Sequence, residues 1–150
     1  MILKYERRFA VREKGTHSFP STLVLIAALN EELGIGLTIA ELKQYLRDPR
    51  VLVVDGNSED KTVHVAKGFG ADVIFQGGEG KGDAISHAIK HVKDDVDYVV
   101  LIDADYTYPA VFVRQMIEIL EENPRVGMVC GNRFNSHFHL TYMHDLFYLG

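Results

Sequence analysis

The sequence predicts an α/β fold in which helices cover both faces of a mainly parallel, Rossmann-like sheet. Short runs rich in β-branched residues alternate with segments of helical period, and polar residues follow directly after most apolar runs. With 150 residues, of which 47% are hydrophobic, the chain can bury one substantial core and is too short for two ordinary domains. We therefore expect one globular unit over residues 21–150, preceded by a basic extension over residues 1–20.

Five strands are expected, each a short apolar run that ends at charged or turn-forming residues. They cover residues 22–28, 50–54, 72–75, 98–102 and 126–130.

Four helices are expected between the strands, and each should turn an apolar stripe toward the sheet. The first stripe consists of Ile35, Ile39, Leu42 and Leu46. The third consists of Ala84, Ile85, Ala88, Ile89 and Val92. The second helix should run from residue 59 to residue 69, capped by Asn57 or Ser58. The fourth should start at Pro109, which suits a first helical position, and stop near Asn123-Pro124. Its buried face would include Phe112, Met116, Ile119 and Leu120.

Composition narrows the function classes. The net charge of −5 and the isoelectric point near 5.8 leave no broad basic face for nucleic-acid phosphates, so the expected partners are small molecules. The single cysteine, Cys130, excludes an intrachain disulfide and a zinc site of paired thiolates, and its apolar neighbours predict a core position. A reducing compartment fits best. No apolar stretch approaches the roughly 18 to 20 residues of a spanning helix, so we expect a cytoplasmic protein, or one peripheral to the cytoplasmic membrane face.

The two ends of the chain differ from the part between them. Residues 1–20 carry five basic and two acidic side chains, which fits a solvated extension or an edge strand, or else a patch that touches anionic lipid head groups. Residues 135–150 are rich in aromatic and aliphatic side chains, which fits a helix packed on the core, or an amphipathic segment that meets lipid or further protein. His137, His139 and His144 lack the i, i+4 spacing of a helical zinc pair and are interpreted as ordinary histidines.

Acidic and amide side chains follow the predicted strands at the ends where an open α/β sheet binds its ligands. Asn30 and Glu31 follow the first strand, Asp55 ends the second, and the Asp103–Asp105 pair ends the fourth. By itself, Asp55 is either part of an ordinary turn or an acceptor for the donors of a nucleobase or ribose. We expect these carboxylates to cluster on one rim.

Asp103 and Asp105 are two residues apart at a strand end, where side chains i and i+2 point the same way. Two such carboxylates suit Mg²⁺ or Mn²⁺, which commonly completes its shell with substrate phosphates. The alternative is a solvated loop whose aspartates cap the helix that begins near Pro109. In the glycine-rich segment 77–82, Lys81 lies where a helix starts and could face an anion, although neither the Walker pattern nor the dinucleotide fingerprint is present.

Five motifs follow one another on successive strand ends. They are Ala28-Leu29-Asn30-Glu31-Glu32, residues 53–62, Gly80-Lys81-Gly82, Leu101-Ile102-Asp103-Ala104-Asp105 and Gly131-Asn132-Arg133-Phe134. In this order they closely resemble the inverting family 2 glycosyltransferases, most of all the dolichyl-phosphate mannosyltransferases and related polyprenyl-phosphate glycosyltransferases. The resemblance covers about residues 21–135.

The resemblance implies a GT-A fold and an inverting transfer of a hexose, mannose or glucose, from a GDP- or UDP-sugar to a lipid-linked phosphate. Glu31 and Asp55 would contact the nucleoside, Asp105 would bind Mg²⁺ or Mn²⁺, and Asp103 would lie by the ribose or the metal. The implied nucleotide site comprises Ala28, Asn30, Glu31, Asp55, Asn57, Lys81 and Asp103. The implied catalytic set is Asp103, Asp105 and Arg133, with Arg133 meeting a phosphate of donor or acceptor.

Three positions depart from the family pattern. Thr107 stands where many lipid-phosphate members carry a metal-binding Gln, Leu29 replaces the usual Tyr of the first motif, and Ala27 replaces its usual Pro. No general base for a sugar hydroxyl is evident downstream, which favours a phosphate acceptor because a phosphate is already an anionic nucleophile. The alternatives are a nucleotide-sugar-binding module whose acceptor half lies beyond residue 150 or on a partner, and a sugar-phosphate nucleotidyltransferase.

Overall fold

The computed structural model describes residues 1–4, 20–93 and 95–131. Within these residues the chain forms one six-stranded sheet, in the order β4-β3-β2-β5-β1-β6, and four helices. The strands are β1 (Ile2–Lys4), β2 (Thr22–Ala28), β3 (Arg50–Asp55), β4 (Asp72–Phe75), β5 (Tyr98–Asp103) and β6 (Met128–Val129). The helices are α1 (Ile35–Tyr45), α2 (Thr62–Gly68), α3 (Gly80–Ile89) and α4 (Val111–Glu122).

The sheet is mainly parallel, which confirms the predicted α/β class. β2 pairs in parallel with β3 on one side and with β5 on the other, and β3 pairs in parallel with β4. In the register of β2, Ala28 lies opposite Asp55 and Ala27 lies opposite Asp103. The carboxyl ends of β3 and β5 therefore flank the carboxyl end of β2.

Two apolar layers cover the sheet, because successive strand residues point to opposite faces. On one face, Val24 and Ile26 of β2 belong to the core formed with α1, α2 and α4. On the other face, Leu23 and Leu25 belong to a smaller core formed with α3. The predicted stripe of α1 is confirmed, since its four apolar side chains are all buried. In α3, Ala84 and Ala88 are buried as predicted, whereas Ile89 is exposed.

The predicted face of α4 is wrong in part. Val113, Ile117 and Leu120 are buried, while Phe112 and Ile119, which were expected in the core, are exposed. Apolar residues occupy more than one stripe of this helix, so its periodicity alone leaves two neighbouring faces open. The helix also begins at Val111, two residues after Pro109.

The first and last strands along the described chain also differ from prediction. Residues 2–4 form neither an extension nor an edge strand, because β1 lies antiparallel between β5 and β6 and Ile2 is fully buried. The basic charge of the segment begins at Lys4, after the apolar Ile2 and Leu3. The sheet instead ends at β6, which spans two residues, and Cys130 just beyond it is exposed and is not a core residue.

Most residues of the N-terminal and C-terminal segments are not among those that the structure describes. Residues 5–19 and 132–150 are not among the described residues, so the expectations for the basic segment beyond Lys4, for the three late histidines and for the aromatic segment 135–150 are not tested. Among the residues that are described, no helix has the length and apolar character needed to span a membrane.

A pair of leucine substitutions tests the assigned core. Leu42 in α1 is fully buried, whereas Leu33, just before that helix, is 84% exposed. We expect Leu42→Ala to lower the free energy of unfolding by about 2–5 kcal/mol, because it leaves a cavity under the sheet. Leu33→Ala makes the same chemical change on the surface and should stay within about 0.5 kcal/mol. Urea denaturation measures both, and equal losses would contradict the orientation of α1.

Candidate functional site

The candidate side chains meet where β2, β3 and β5 end, but they approach from opposite faces of the sheet. Asp55 shares its face with Val51 and Val53, which pack toward α1 and α2. Asp103 shares its face with Val99 and Leu101, which pack toward α3. β5 ends at Asp103, so strand alternation fixes only the first aspartate of the pair, and Asp105 lies in the bend that follows.

Asp55 is a fully buried carboxylate that is held by one neighbour. Its Oδ1 accepts a hydrogen bond from the backbone N–H of Ser58 (2.9 Å), and its Oδ2 accepts one from the Ser58 hydroxyl (2.7 Å). Burying a carboxylate is costly unless its oxygens are hydrogen bonded, and Ser58 provides this compensation. Ser58 therefore orients Asp55 and does not cap α2 as predicted.

The loops after β2 and β3 are joined by reciprocal hydrogen bonds, which we call the inter-loop network (residues 30–32 and 58–62). Three successive backbone N–H groups of the first loop donate to side chains of the second. They are Asn30 to Ser58 Oγ (2.9 Å), Glu31 to Thr62 Oγ1 (2.7 Å) and Glu32 to Asp60 Oδ2 (3.0 Å). In return, the N–H groups of Glu59 and Lys61 donate to Asn30 Oδ1 (2.9 Å) and Glu32 Oε2 (3.0 Å).

Two of the predicted nucleotide-site residues shape these loops through their backbones. Asn30 has φ 54° and Asn57 has φ 65°, in the left-handed region that asparagine tolerates better than most residues. The N-cap position of α2 is occupied by Lys61, not by Asn57 or Ser58 as predicted, and Asp60 Oδ1 accepts the N–H of Thr62, the first residue of the helix (2.8 Å).

The turn that carries Asp105 is packed directly against the start of α1. A Cβ added to Gly34 would lie 2.7 Å from the Ala104 carbonyl oxygen and 2.9 Å from Cα of Asp105. One turn further along α1, the buried hydroxyl of Thr38 donates to the same carbonyl oxygen (3.2 Å). Helix α1 therefore fixes the position of the Asp105 backbone.

Thr107 binds Asp105. Its backbone N–H (3.1 Å) and its hydroxyl (2.7 Å) both donate to Asp105 Oδ1, so the hydrogen bonds that described residues give to this carboxylate converge on one oxygen. The alternative in which the aspartates cap the following helix does not fit, because α4 begins only after Ala110. Thr107 thus orients Asp105 at the position where the related motif carries Gln.

Lys81 in the first turn of α3 forms an ion pair with Asp103. The lysine side chain is more than half exposed and the aspartate about one third exposed. The predicted location of Lys81 at a helix start is confirmed, and the contact brings the glycine-rich segment to the same rim as the acidic residues.

Glu31 lies within electrostatic range of the other rim carboxylates. Its partial burial raises the pKa of its carboxyl, and the negative charges of Asp105, Asp60 and Asp103 raise it further. For Asp60, burial acts in the same direction, but hydrogen bonds from Thr62 and Glu32 outweigh it and hold the pKa below its ordinary value. The network thus stabilises the charge of Asp60, while Glu31 stays protonated to a higher pH than an ordinary glutamate.

The side chains at the rim that could coordinate a metal ion are few. In the described part of the chain, no group of three or more His, Cys, Asp or Glu side chains is arranged to hold a metal. Asp103 and Asp105 would supply at most two carboxylates to an ion bound at this rim, and phosphate oxygens would have to supply much of the rest of its shell. Mg²⁺ and Mn²⁺ are commonly bound in this way, so the residues fit such an ion together with a diphosphate.

Most of the predicted site residues are brought together. Ala28, Asn30, Glu31, Asp55, Asn57, Lys81, Asp103 and Asp105 all lie on or beside this rim. Arg133 lies outside the described residues. Sequence reasoning missed Asp60, Thr62 and Gly34, which contact other parts of the rim. Asp60 and Thr62 lie within the motif of residues 53–62, where their hydrogen-bonding side chains were the available signal, whereas Gly34 gave no such signal.

Comparisons with known proteins agree with this arrangement. A family model described as Glycosyl transferase family 2 matches residues 23–147. Glycosyltransferase AglJ of Haloferax volcanii is 39% identical over 101 residues, which are 65% of this chain and 32% of that protein. A dolichyl-phosphate hexose transferase of the same organism is 33% identical over 119 residues, which are 78% of this chain and 50% of that protein. The chain thus spans a third to a half of these relatives.

A solved structure gives a similar comparison. Glucosyl-3-phosphoglycerate synthase from Mycobacterium tuberculosis, crystallised with Mn²⁺, uridine diphosphate and phosphoglyceric acid, superposes with a TM-score of 0.59 and 27% sequence identity. The match covers 67% of this chain and 39% of that one.

A glycine substitution tests the packing of α1 on the aspartate turn. We expect Gly34→Ala to lower the free energy of unfolding by about 1–3 kcal/mol, because its methyl group must displace backbone atoms of Ala104 and Asp105. Gly68→Ala, at the end of α2, is the control, since an added Cβ there meets no atom within 4 Å. That change should be neutral or stabilise by up to about 1 kcal/mol. Equal effects in urea denaturation would rule out the close contact.

The raised pKa of Glu31 predicts a pH-dependent stability difference. Because the folded chain binds this proton more tightly than the unfolded chain, the contribution of Glu31 to stability falls as the pH rises above 4.5, the ordinary pKa of a glutamate, until the folded carboxyl is ionised. Glu31→Gln should therefore gain stability relative to the parent chain between pH 4 and pH 7. Denaturation at both pH values measures this gain. For the exposed Glu122→Gln the effect should stay within about 0.5 kcal/mol at each pH; a Glu31→Gln difference that did not grow with pH would contradict the assignment.

Proposed function

The chain belongs to glycosyl transferase family 2 and has the GT-A fold, and on this premise we propose that it binds a GDP- or UDP-sugar at the rim and transfers the hexose, with inversion, to a lipid-linked phosphate. The observation that carries the proposal is the meeting of Glu31, Asp55, Asp103 and Asp105 with Lys81 where three parallel strands end. This edge is where open α/β sheets bind their ligands.

The nucleoside would be bound on the side of β3 and the inter-loop network. Asp55 has one hydrogen bond on each carboxylate oxygen, and each oxygen keeps a lone pair for a base N–H or a ribose O–H. Because Ser58 holds it rigidly, Asp55 would bind a donor with little loss of side-chain entropy. Glu31 is the second acidic contact in the proposal, and the Asn30 and Asn57 turns and Ala28 would form the floor against which the nucleoside packs.

The diphosphate would be bound on the side of β5. Asp105, and Asp103 with it, would hold Mg²⁺ or Mn²⁺, which when bound offsets the charge that develops on the departing nucleoside diphosphate. Lys81 forms an ion pair with Asp103 and its side chain is more than half exposed, so its ammonium group would be available to a phosphate oxygen at the rim. Thr107 keeps Asp105 in a fixed orientation through two hydrogen bonds.

The acceptor is proposed to carry a phosphate. One of the relatives is named a dolichyl-phosphate hexose transferase, and the solved structure is that of a glucosyl-3-phosphoglycerate synthase, so each name contains a phosphate-bearing compound. A phosphate oxygen is an anionic nucleophile and needs no general base to remove a proton. Among the described residues, Asp55, Asp60, Asp103 and Asp105 have hydrogen-bonding or charged partners, and Glu31 is assigned to the nucleoside. Arg133 is proposed to meet a phosphate of donor or acceptor.

A second function has one specific observation in its favour. Among the described residues, every side chain given a binding role above would contact the donor or its metal. A nucleotide-sugar-binding module, which acts only together with an acceptor-binding part outside this sequence, would have the same rim and the same residues. Binding and transfer must therefore be measured separately.

Calorimetry with UDP and GDP tests the proposal. We expect one nucleotide to bind, and Mn²⁺ to tighten that binding by about tenfold or more, which corresponds to about 1.4 kcal/mol. Asp105→Asn should remove most of the Mn²⁺ effect, because the neutral amide is a weak ligand for a hard cation. Asp72→Asn is the matched control, since Asp72 is exposed at the opposite end of β4. If neither nucleotide binds, or if both variants respond alike to Mn²⁺, the proposed site is wrong.

Incubation of the chain with UDP-glucose or GDP-mannose and a polyprenyl phosphate separates the two candidate functions. Formation of a glycosylated lipid phosphate supports the transferase. Nucleotide binding without turnover supports the binding module.

A further inference from the structure

We propose that Thr62 and Asp60 are positioning residues that hold Glu31 in place for donor binding, although neither touches the donor. This inference rests on the proposed function, because the role of Glu31 in nucleotide binding is part of it. Both residues lie outside the set of side chains to which a binding role was assigned above.

The Thr62 side chain is fully buried, and its hydroxyl is engaged in two directions. It accepts the backbone N–H of Glu31 (2.7 Å) and donates to Asp60 Oδ1. This hydroxyl already accepts one hydrogen bond and donates another, so it is engaged within the protein. Its polar contacts point to Glu31 and Asp60, and the first of these crosses from one loop to the other.

Asp60 sets the direction of that hydroxyl. Its Oδ1 accepts both the N–H and the hydroxyl of Thr62, so the proton of the hydroxyl is directed to Asp60 and a lone pair is left for Glu31. Its Oδ2 accepts the N–H of Glu32, which places the carboxylate between the two loops (3.0 Å). Hydrogen bonds that share groups in this way strengthen one another, so loss of either side chain should loosen the same contact.

These hydrogen bonds fix the backbone at Glu31. Its own N–H and that of Glu32 are both bound by this pair, so the backbone from which the Glu31 side chain projects is fixed at the rim. Its carboxylate lies in a field of other carboxylates, which would drive it toward solvent if the backbone were released. Holding Glu31 near Asp103 and Asp105 therefore requires a structural restraint, and Thr62 with Asp60 supplies one.

A double-mutant cycle tests the inference, with UDP plus Mn²⁺ as the probe, or GDP plus Mn²⁺ if the parent chain binds GDP more tightly. Thr62→Val keeps the shape of the side chain and removes the hydroxyl, and we expect it to weaken nucleotide binding by about tenfold. In a Glu31→Ala background the same change should weaken binding by less than about twofold, because the residue it positions is already gone. Thr62→Ser keeps the hydroxyl and should bind within about twofold of the parent chain.

Amide hydrogen exchange gives a readout that does not depend on the nucleotide. Thr62→Val should speed exchange of the Glu31 N–H by about tenfold or more, because the amide loses its buried acceptor. Thr22→Val is the control: Thr22 is also buried and bonded through its hydroxyl, to Pro20, but it lies at the opposite end of β2. It should change neither the Glu31 exchange rate nor the nucleotide affinity.

The outcomes separate the two proposals. If the parent chain binds nucleotide, but Thr62→Val weakens binding equally with and without Glu31, the positioning role is wrong and the proposed function stands. If Thr62→Val leaves the Glu31 N–H as protected as in the parent chain, the inference is likewise overturned. Failure of the parent chain to bind UDP or GDP overturns the proposed function and this inference with it. Should Thr62→Val not fold, Asp60→Ala, which removes both acceptor oxygens, goes through the same cycle with the same criteria.

Discussion

The position of β2 between two parallel neighbours is the constraint on which the rest of the structure depends. Its backbone is hydrogen bonded to β3 on one side and β5 on the other, in a register that aligns Ala28 with Asp55 and Ala27 with Asp103. A slip of one residue in either pairing would turn the affected strand over and exchange the side chains that it contributes to the two cores. The burial of alternate β2 residues in two separate cores opposes such a slip. The apolar packing of the sheet therefore also determines where the acidic side chains lie.

Concentrating carboxylates on one rim has an electrostatic cost, and the chain offsets it residue by residue. Asp55 is stabilised by Ser58, Asp60 by Thr62 and the N–H of Glu32, Asp103 by Lys81, and Asp105 by Thr107. Glu31 bears the remaining repulsion, as its raised pKa indicates. A rim of this kind gains more than a neutral one from the arrival of a divalent cation, because the cation relieves repulsion as well as forming new bonds.

Much of this arrangement could be predicted from the sequence, because short-range signals determine it. The four parallel strands, the α1 stripe and the start of α3 next to Lys81 follow from periodicity and from the turn-forming residues between the elements. The carboxylate rim follows from the rule that strand ends of one direction share an edge. The place of β1 inside the sheet could not be predicted, because three residues carry too little pattern to overcome the basic charge that follows them. The buried face of α4 could not be predicted either, because it depends on which of two apolar stripes meets the core. The network around Thr62 depends on the approach of two loops that are 28 to 31 residues apart in the chain.

The reciprocal bonding of the two loops has a consequence for how this rim can vary. Loops in most proteins accept insertions and deletions readily, because water satisfies their backbone groups. Here the amides of residues 30–32 are satisfied by side chains at fixed offsets in residues 58–62, and the return bonds run the other way. One added residue in either loop would put several donors and acceptors out of phase at once. In a chimera with a related enzyme, the two segments would have to be exchanged as a matched pair, so nucleotide preference at this rim would be inherited as one unit.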